Sequence, residues 1–476
     1  MEAPPTPPLS ALRSALAAAG LSTAAAGIAV GLASVSPVLA LAVGATAVVA
    51  LASSAARPSA EIQLGAVLAL LTFQLFGGDG TAVGEALSGV ALVAYLGTWY
   101  ATAALRSRRV VTSGFDVAAV AWGLLGIPVA SLWGLWMGSD LTLLRADLLA
   151  AIPFLLYLPV KDLCARREHG ALIVAGALVA YGIAGTTFAI VNFREVLSSA
   201  SEAWQIADAR YNLSETGITS GLLLSLLGIP TAWRQGGRGR YAALALFGLA
   251  LFLLGGLVLT KSRGFWAAGL IGMTCLVGLA RGADRRGLVV SMGLIAVTLV
   301  GAAVAALGTA ALLLAVGTLN RLATLESAIT KDLSLLNRFA ESSGAWELIR
   351  QRPLLGWGFG RSVPFFDIIL LRSTAWGFLH NGYLALWLKT GLGGLLLMGT
   401  VWAGAIFRGM RATARTTLSP LTRSIAVSMT ATLISFTPVV STSNPFSVLD
   451  QMLVVTLLMG ALHGLADRSR WMRPRS

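Results

Sequence analysis

Apolar residues run along this chain in long unbroken stretches separated by short polar connections. The stretches lie near 13–33, 36–54, 61–77, 84–105, 115–137, 146–160, 170–191, 215–231, 241–259, 264–280, 287–316, 381–407, 420–440 and 448–466. Most approach the roughly 20 residues that a helix needs to cross a bilayer. The run from Ala242 to Leu259 is continuous, unlike barrel strands, which alternate apolar and polar residues over about 10 positions. The pattern predicts an all-α fold, a polytopic transmembrane helical bundle of about 12–14 spans. Residues 1–476 read as a single integral membrane domain.

Composition agrees. The chain is 56% hydrophobic and 12% charged, about half the charged share of a soluble domain, which is roughly 25%. A soluble globular protein and a disordered chain are both excluded. The 53 glycines suit close helix packing in lipid. Cys164 and Cys275 lie far apart, one in a basic loop and one in an apolar run, so no disulfide framework is expected. With His169, His380 and His463 as the only histidines, no metal site is expected. No cofactor is expected either.

The net charge of +14 is unevenly distributed. Alternate connections carry Arg106, Arg108 and Arg109; Lys161, Arg166 and Arg167; Arg234, Arg238 and Arg240; Arg281, Arg285 and Arg286; and Arg408, Arg411, Arg415 and Arg423. The tail adds Arg468, Arg470, Arg473 and Arg475. By the positive-inside rule this face is cytoplasmic, and both termini fall on it. These cations read as topology determinants touching anionic lipid, not as a nucleic-acid surface. Met1 to Pro8 is Pro-rich and nearly uncharged, which predicts no cleavable signal peptide.

On this topology the far side has two long connections: 192–214, a short periplasmic connection, and 317–380, a long, partly helical periplasmic loop. The second carries Arg321, Lys331, Arg338, Arg350, Arg352, Arg361, Arg372 and His380 on the face where basic residues should be scarce. Within it, Leu335 to Arg350 has helical character, with Phe339, Trp346 and Ile349 spaced to line one face. Arg352-Pro353-Leu354-Leu355-Gly356-Trp357-Gly358-Phe359-Gly360 reads as a tight irregular turn packed with interfacial Trp357 and Phe359. His380-Asn381 opens the next helix, where the dipole disfavours an imidazolium and a neutral His can act as a base. Thr260-Lys261-Ser262-Arg263-Gly264 is a hairpin too short to leave the interface. Its arginine either snorkels to lipid phosphates or faces a site. Arg210 lies in the other far-side connection.

At these residues the chain resembles the O-antigen ligase and O-antigen polymerase superfamily of bacterial inner-membrane glycosyltransferases. His380-Asn381, nine residues, Gly391, two residues and Gly394 fit the ligase-type pattern. Arg338, fifteen residues before Pro353 of Pro-Leu-Leu-Gly-Trp-Gly, fits a second block, and Ser262-Arg263-Gly264 resembles the family's Ser-Arg hairpin. Arg210, twenty residues before Pro230, resembles a fourth, although Tyr211-Asn212-Leu213 follows it in place of the usual glycine spacing. Lys389 stands where members often carry Glu. It lies about 13 Å along a straight helix from His380 at 1.5 Å per residue, with Asp450 a candidate counter-ion.

The resemblance implies a GT-C-like fold and transfer of a glycan from undecaprenyl diphosphate on the periplasmic face of the inner membrane. The acceptor is a hydroxyl of lipid A–core for a ligase, in lipopolysaccharide assembly, or another lipid-linked repeat unit for a polymerase. It implies a metal-independent inverting transfer. Catalytic roles fall to His380, Arg338 and Arg263. Diphosphate or acceptor binding falls to Arg210, Asn381, Lys389, Arg352 and Arg361. His380 is either a base or a diphosphate ligand. The reading from another class is a transporter of an anionic or lipid-linked substrate. Against it, the polar residues collect at one interface rather than at the midplane.

Overall fold

The computed structural model describes residues 82–471 apart from 106–109, 168, 200–213, 308–332 and 415–417, together with Leu64, Gly65 and Leu68. The sequence-predicted segments near 13–33 and 36–54, most of 61–77, and Arg210 lie outside the described residues. The other apolar stretches are helical wherever they are described, 287–316 only as far as Leu307. In order these are α1 (Ala82–Leu105), α2 (Gly114–Trp136), α3 (Leu141–Arg166), α4 (Gly170–Ser199), α5 (Glu215–Trp233), α6 (Arg238–Leu259), α7 (Arg263–Leu279), α8 (Gly282–Leu307), α9 (Leu333–Gln351), α10 (Gly382–Ala414), α11 (Pro420–Val439) and α12 (Leu449–Trp471). Seven of them are long and apolar enough to cross a membrane. The protein is a polytopic helical membrane protein.

Burial sorts the helices. α5 and α12 are enclosed on nearly all sides. α5 packs against α4, α6 and α11, and α12 against α3 and α10. α6 leaves Tyr241 and Leu244 exposed, and α2 leaves Leu125, Leu132 and Trp136 exposed. In a bilayer such apolar faces meet acyl chains, so they carry no penalty.

Two of the cations read as topology determinants have a different role. Lys161 and Arg408 are buried. The Lys161 ammonium lies 2.7 Å from Asp116 and 2.9 Å from Asp467, and Arg408 pairs with Asp467. Two cations thus meet two carboxylates where α2, α3, α10 and α12 converge. Burying one charge without a partner costs several kcal/mol, about 3–5, so this network ties the four helices to one arrangement. Positive-inside counting cannot detect it, because the carboxylates lie far away in sequence.

The 317–380 connection contains, in its described part, a feature the apolar pattern does not predict. Val363–Asp367 and Arg372–Trp376 form an antiparallel hairpin, β1 and β2, with Val363 opposite Trp376 and Asp367 opposite Arg372. β1 buries alternate residues, Val363, Phe365 and Asp367, against α9. The Asn337 side chain of α9 accepts the Ile368 N–H, and Asp367 accepts those of Ile369 and Leu370. Helix α9 and the hairpin therefore fold as one unit, with a small apolar core of Ala345, Leu348, Ile349, Val363, Leu379, Ala385 and Leu388. The buried face of α9 is Asn337, Glu341, Ala345, Leu348 and Ile349. Phe339 and Trp346 point outward, so the expected Phe339–Trp346–Ile349 stripe is not one face.

Candidate active site

The site begins with a break in a helix. α10 runs from Gly382 to Ala414 but departs from helical geometry at Gly391, with φ 70° and ψ −180°. Only glycine adopts that region at little cost. The break creates room for backbone. The Leu354 carbonyl oxygen stands 2.1 Å from where a Cβ on Gly391 would be. Leu392 N–H donates to the Pro353 carbonyl, Trp387 Nε1 donates to the same oxygen, and Trp357 N–H donates to the Leu388 carbonyl. The Pro353–Trp357 turn is thus seated on the break in α10. Gly391, separated from Asn381 by nine residues, is where the two sequence blocks touch.

The first part of α10 presents His380 at its N-terminal end. Asn381 caps the helix, its Oδ1 accepting from Leu384 N–H at 3.1 Å. His380 keeps a side-chain exposure of 31% while its partner Glu341 has 1%. His380 Nδ1 lies 2.8 Å from Glu341 Oε2, and the His380 backbone N–H donates to Glu341 Oε1 at 2.5 Å. One buried carboxylate holds both the ring and the backbone of this histidine. With the carboxylate ionised, Nδ1 carries the proton and Nε2 is left as the accepting nitrogen. The Phe378 ring meets the imidazole edge-on at 5.1 Å, which fixes the ring plane further.

Three elements then meet on one turn, Val440–Asn444, between α11 and α12. Gly382 N–H donates to the Val440 carbonyl at 2.8 Å. Arg338 Nη1, on α9 one turn before Glu341, donates to the Thr442 carbonyl at 3.2 Å. Gly264, next to Arg263 at the start of α7, leaves only 3.2 Å between an added Cβ and Thr442 Oγ1. The Thr442 turn therefore takes the Arg338 side chain and packs against the backbone at Gly382 and Gly264, two residues after His380 and one after Arg263.

The remaining candidates collect elsewhere. Lys389 is 4% exposed, and its ammonium lies 2.5 Å from Asp147 Oδ1 of α3 and 3.0 Å from the Gly377 carbonyl. Asp147 Oδ2 accepts the Gly360 N–H. The counter-ion of Lys389 is Asp147 and not Asp450. Arg352 and Arg361 both lie over the Trp357 ring, with Cζ to ring centroid distances of 4.8 and 4.1 Å. Burial and the nearby charge of Arg352 push the Arg361 guanidinium below its ordinary value.

Residues 248–399 match the family described as O-antigen ligase. The match supports a resemblance of this segment to the O-antigen ligase and polymerase superfamily. The comparison with curated proteins returns no match. An O-antigen ligase-type segment implies a glycosyltransferase-like enzyme with lipid-linked glycan and acceptor substrates. The matched segment contains Arg263, Arg338, Glu341, Arg352, Arg361, His380, Asn381 and Lys389. It excludes Asp147 and the Thr442 turn, which complete its geometry from outside.

Sequence reasoning missed Glu341, Asp147 and Thr442. Glu341 had one signal: it stands three residues after Arg338, the spacing of one helix face. Asp147 was an acid inside an apolar stretch, in need of a partner. Thr442 acts through backbone and small contacts and left no signal.

Proposed function

We propose that this protein is an O-antigen ligase that moves a glycan from undecaprenyl diphosphate to a hydroxyl of lipid A–core, on the periplasmic face of the inner membrane. The observation that supports this most is the grip of buried Glu341 on His380 Nδ1, next to a turn that Arg338 and the Arg263–Gly264 corner also reach. His380 Nε2 takes the proton of the acceptor hydroxyl. That oxygen attacks the anomeric carbon, the bond from that carbon to the diphosphate oxygen breaks, and the anomeric centre inverts. Undecaprenyl diphosphate leaves with the bonding electrons. Arg338 and Arg263 stabilise its growing charge, since guanidinium groups bind phosphate in bidentate geometry. Fixed charge placed for the transition state is often the largest catalytic contribution. The proposed step uses no metal. Arg210, in the 192–214 connection, is proposed to add to the diphosphate site, and both termini are proposed to be cytoplasmic.

The test uses purified wild type and His380→Ala with undecaprenyl-diphosphate oligosaccharide, with and without lipid A–core, in EDTA. A product joined to lipid A–core from wild type and not from the variant is expected. Longer lipid-linked chains formed without lipid A–core would make the enzyme a polymerase with the same site. Donor flux across liposomes with no glycan product would overturn the transferase reading.

A further inference from the structure

Three helices leave regular geometry beside one small cavity. α2 contains a π-helical turn at Ala121–Gly126. α3 tightens into a 3₁₀ turn at Ile152–Leu156, directly after Ala151. α10 breaks at Gly391, directly after Thr390. Trp122, Ala151 and Thr390 line the cavity, together with Asp147, Lys389 and Ser447. Its volume is about 10 Å³. One water needs roughly 10–15 Å³ and two to four polar partners.

The wall of this cavity contains an unmatched donor and acceptors with capacity to spare. Trp122 is 1% exposed, and its Nε1 is buried with no hydrogen-bond partner among the described residues. A buried N–H without an acceptor is costly. The indole packs edge-on against Phe154, with ring centroids 4.6 Å apart, which leaves it little room to turn elsewhere. Asp147 Oδ1 accepts from the Lys389 ammonium and Oδ2 from the Gly360 N–H. Each carboxylate oxygen has a second lone pair to offer. The Lys389 ammonium reaches Ser447 Oγ only at 3.5 Å, which is long for a hydrogen bond. In membrane spans, ordered waters and local 3₁₀ or π adjustments together satisfy the polar groups that a helix distortion frees. The cavity is too small for an oxyanion, and the Asp147 carboxylate repels one.

We propose that this cavity binds one ordered water, which accepts the Trp122 indole N–H and donates to the Asp147 carboxylate. The water joins α2 to the Lys389–Asp147 pair, and through Lys389 to the first part of α10, which starts beside His380. The three helix distortions make the space for it, and Trp122 is its anchor. The proposal rests on the packing of the spans and not on the transfer reaction.

The test is water-selective NOE spectroscopy on the full chain, with 15N-indole tryptophan, in deuterated phosphatidylcholine nanodiscs. Of the 13 tryptophans, Trp122 gives the indole signal that is missing in Trp122→Phe, and Trp122→Tyr supplies the same assignment where Trp122→Phe does not purify folded. Wild type is expected to show a cross-peak between the Trp122 indole proton and water. Ala151→Val, which fills the cavity from α3, is expected to keep the Trp122 signal and lose that cross-peak. A wild-type Trp122 signal with no water cross-peak overturns the site, and this arm needs no variant beyond the assignment. A cross-peak that persists in folded Ala151→Val means that the water lies outside this cavity and overturns the proposal as well.

Discussion

Glu341 lies one helical turn after Arg338 on α9 and holds His380, at the start of α10, by both its ring and its backbone. The same helix face therefore offers a guanidinium to the Thr442 turn and a carboxylate to the imidazole. A shift of α9 along its axis would move both groups at once. This couples the charge proposed to bind the leaving group to the base proposed to take the acceptor's proton.

Removing the base and removing its orienting partner should have related effects. His380→Ala is expected to lower kcat by about 10²- to 10⁴-fold, the usual worth of a general base. Glu341→Gln keeps the size but loses the charge that fixes the Nδ1–H tautomer, and it should lower kcat by roughly 10²-fold or more. The double variant should be little worse than His380→Ala, because the two act as a unit. Single-turnover rates with purified donor and acceptor check this. Additive losses would mean that Glu341 acts on its own.

Arg338 and Arg263 are separable from the fold by substitution type. Arg338→Ala should abolish transfer while the protein still inserts and purifies as a folded species. Arg338→Lys should recover only a small part of the rate, because an ammonium cannot reproduce the planar fork. Arg263→Ala should behave like Arg338→Ala. Arg468→Ala, at the far end of α12, should leave the rate unchanged. Equal loss for all four would remove the site assignment.

How much was legible in the sequence depended on whether the cause was local. Each described apolar run is helical, although the helix at 146–160 spans Leu141–Arg166 and that at 170–191 runs on to Ser199, because lipid-compatible hydropathy is a property of the segment alone. The short hairpin was not legible, since Val363-Pro364-Phe365-Phe366-Asp367 pairs with Arg372–Trp376 only once α9 covers its buried side. Lys161 and Arg408 looked like headgroup contacts because the acids that neutralise them are remote in sequence. Arg338 stood out as a motif residue, yet its bond to the Thr442 carbonyl had no signal in the sequence. Motif spacing carries identity, and packing carries geometry.

Gly391 should tolerate no side chain. Its φ of 70° costs an L-residue about 1–2 kcal/mol. A Cβ would also meet the Leu354 carbonyl oxygen at 2.1 Å, and that atom belongs to backbone seated by three hydrogen bonds. Gly391→Ala is expected to displace the Pro353–Trp357 turn and lower the melting temperature. Gly393→Ala, where nothing lies within 4 Å of an added Cβ, is expected to be neutral. Thermal unfolding in detergent, followed by tryptophan fluorescence, compares the two.

The Lys389–Asp147 pair decides whether the lysine that replaces the family's usual acid serves substrate or structure. Both side chains are buried and lie 2.5 Å apart, and Asp147 also holds Gly360 in place. Removing one partner leaves the other as an uncompensated buried charge, which costs about 3–5 kcal/mol. Lys389→Met and Asp147→Asn should therefore each be strongly destabilising, and Lys389→Met with Asp147→Asn together should be less harmful than the sum of the two. A substrate role makes a different demand: Lys389→Met would raise KM or lower kcat with stability unchanged, and the second substitution would rescue nothing. A double-mutant cycle on melting temperature, run beside kcat and KM for the same four proteins, separates the two. The structural outcome is expected, because all of the hydrogen bonds found for the Lys389 ammonium go to the protein itself, to Asp147, Gly377 and Ser447.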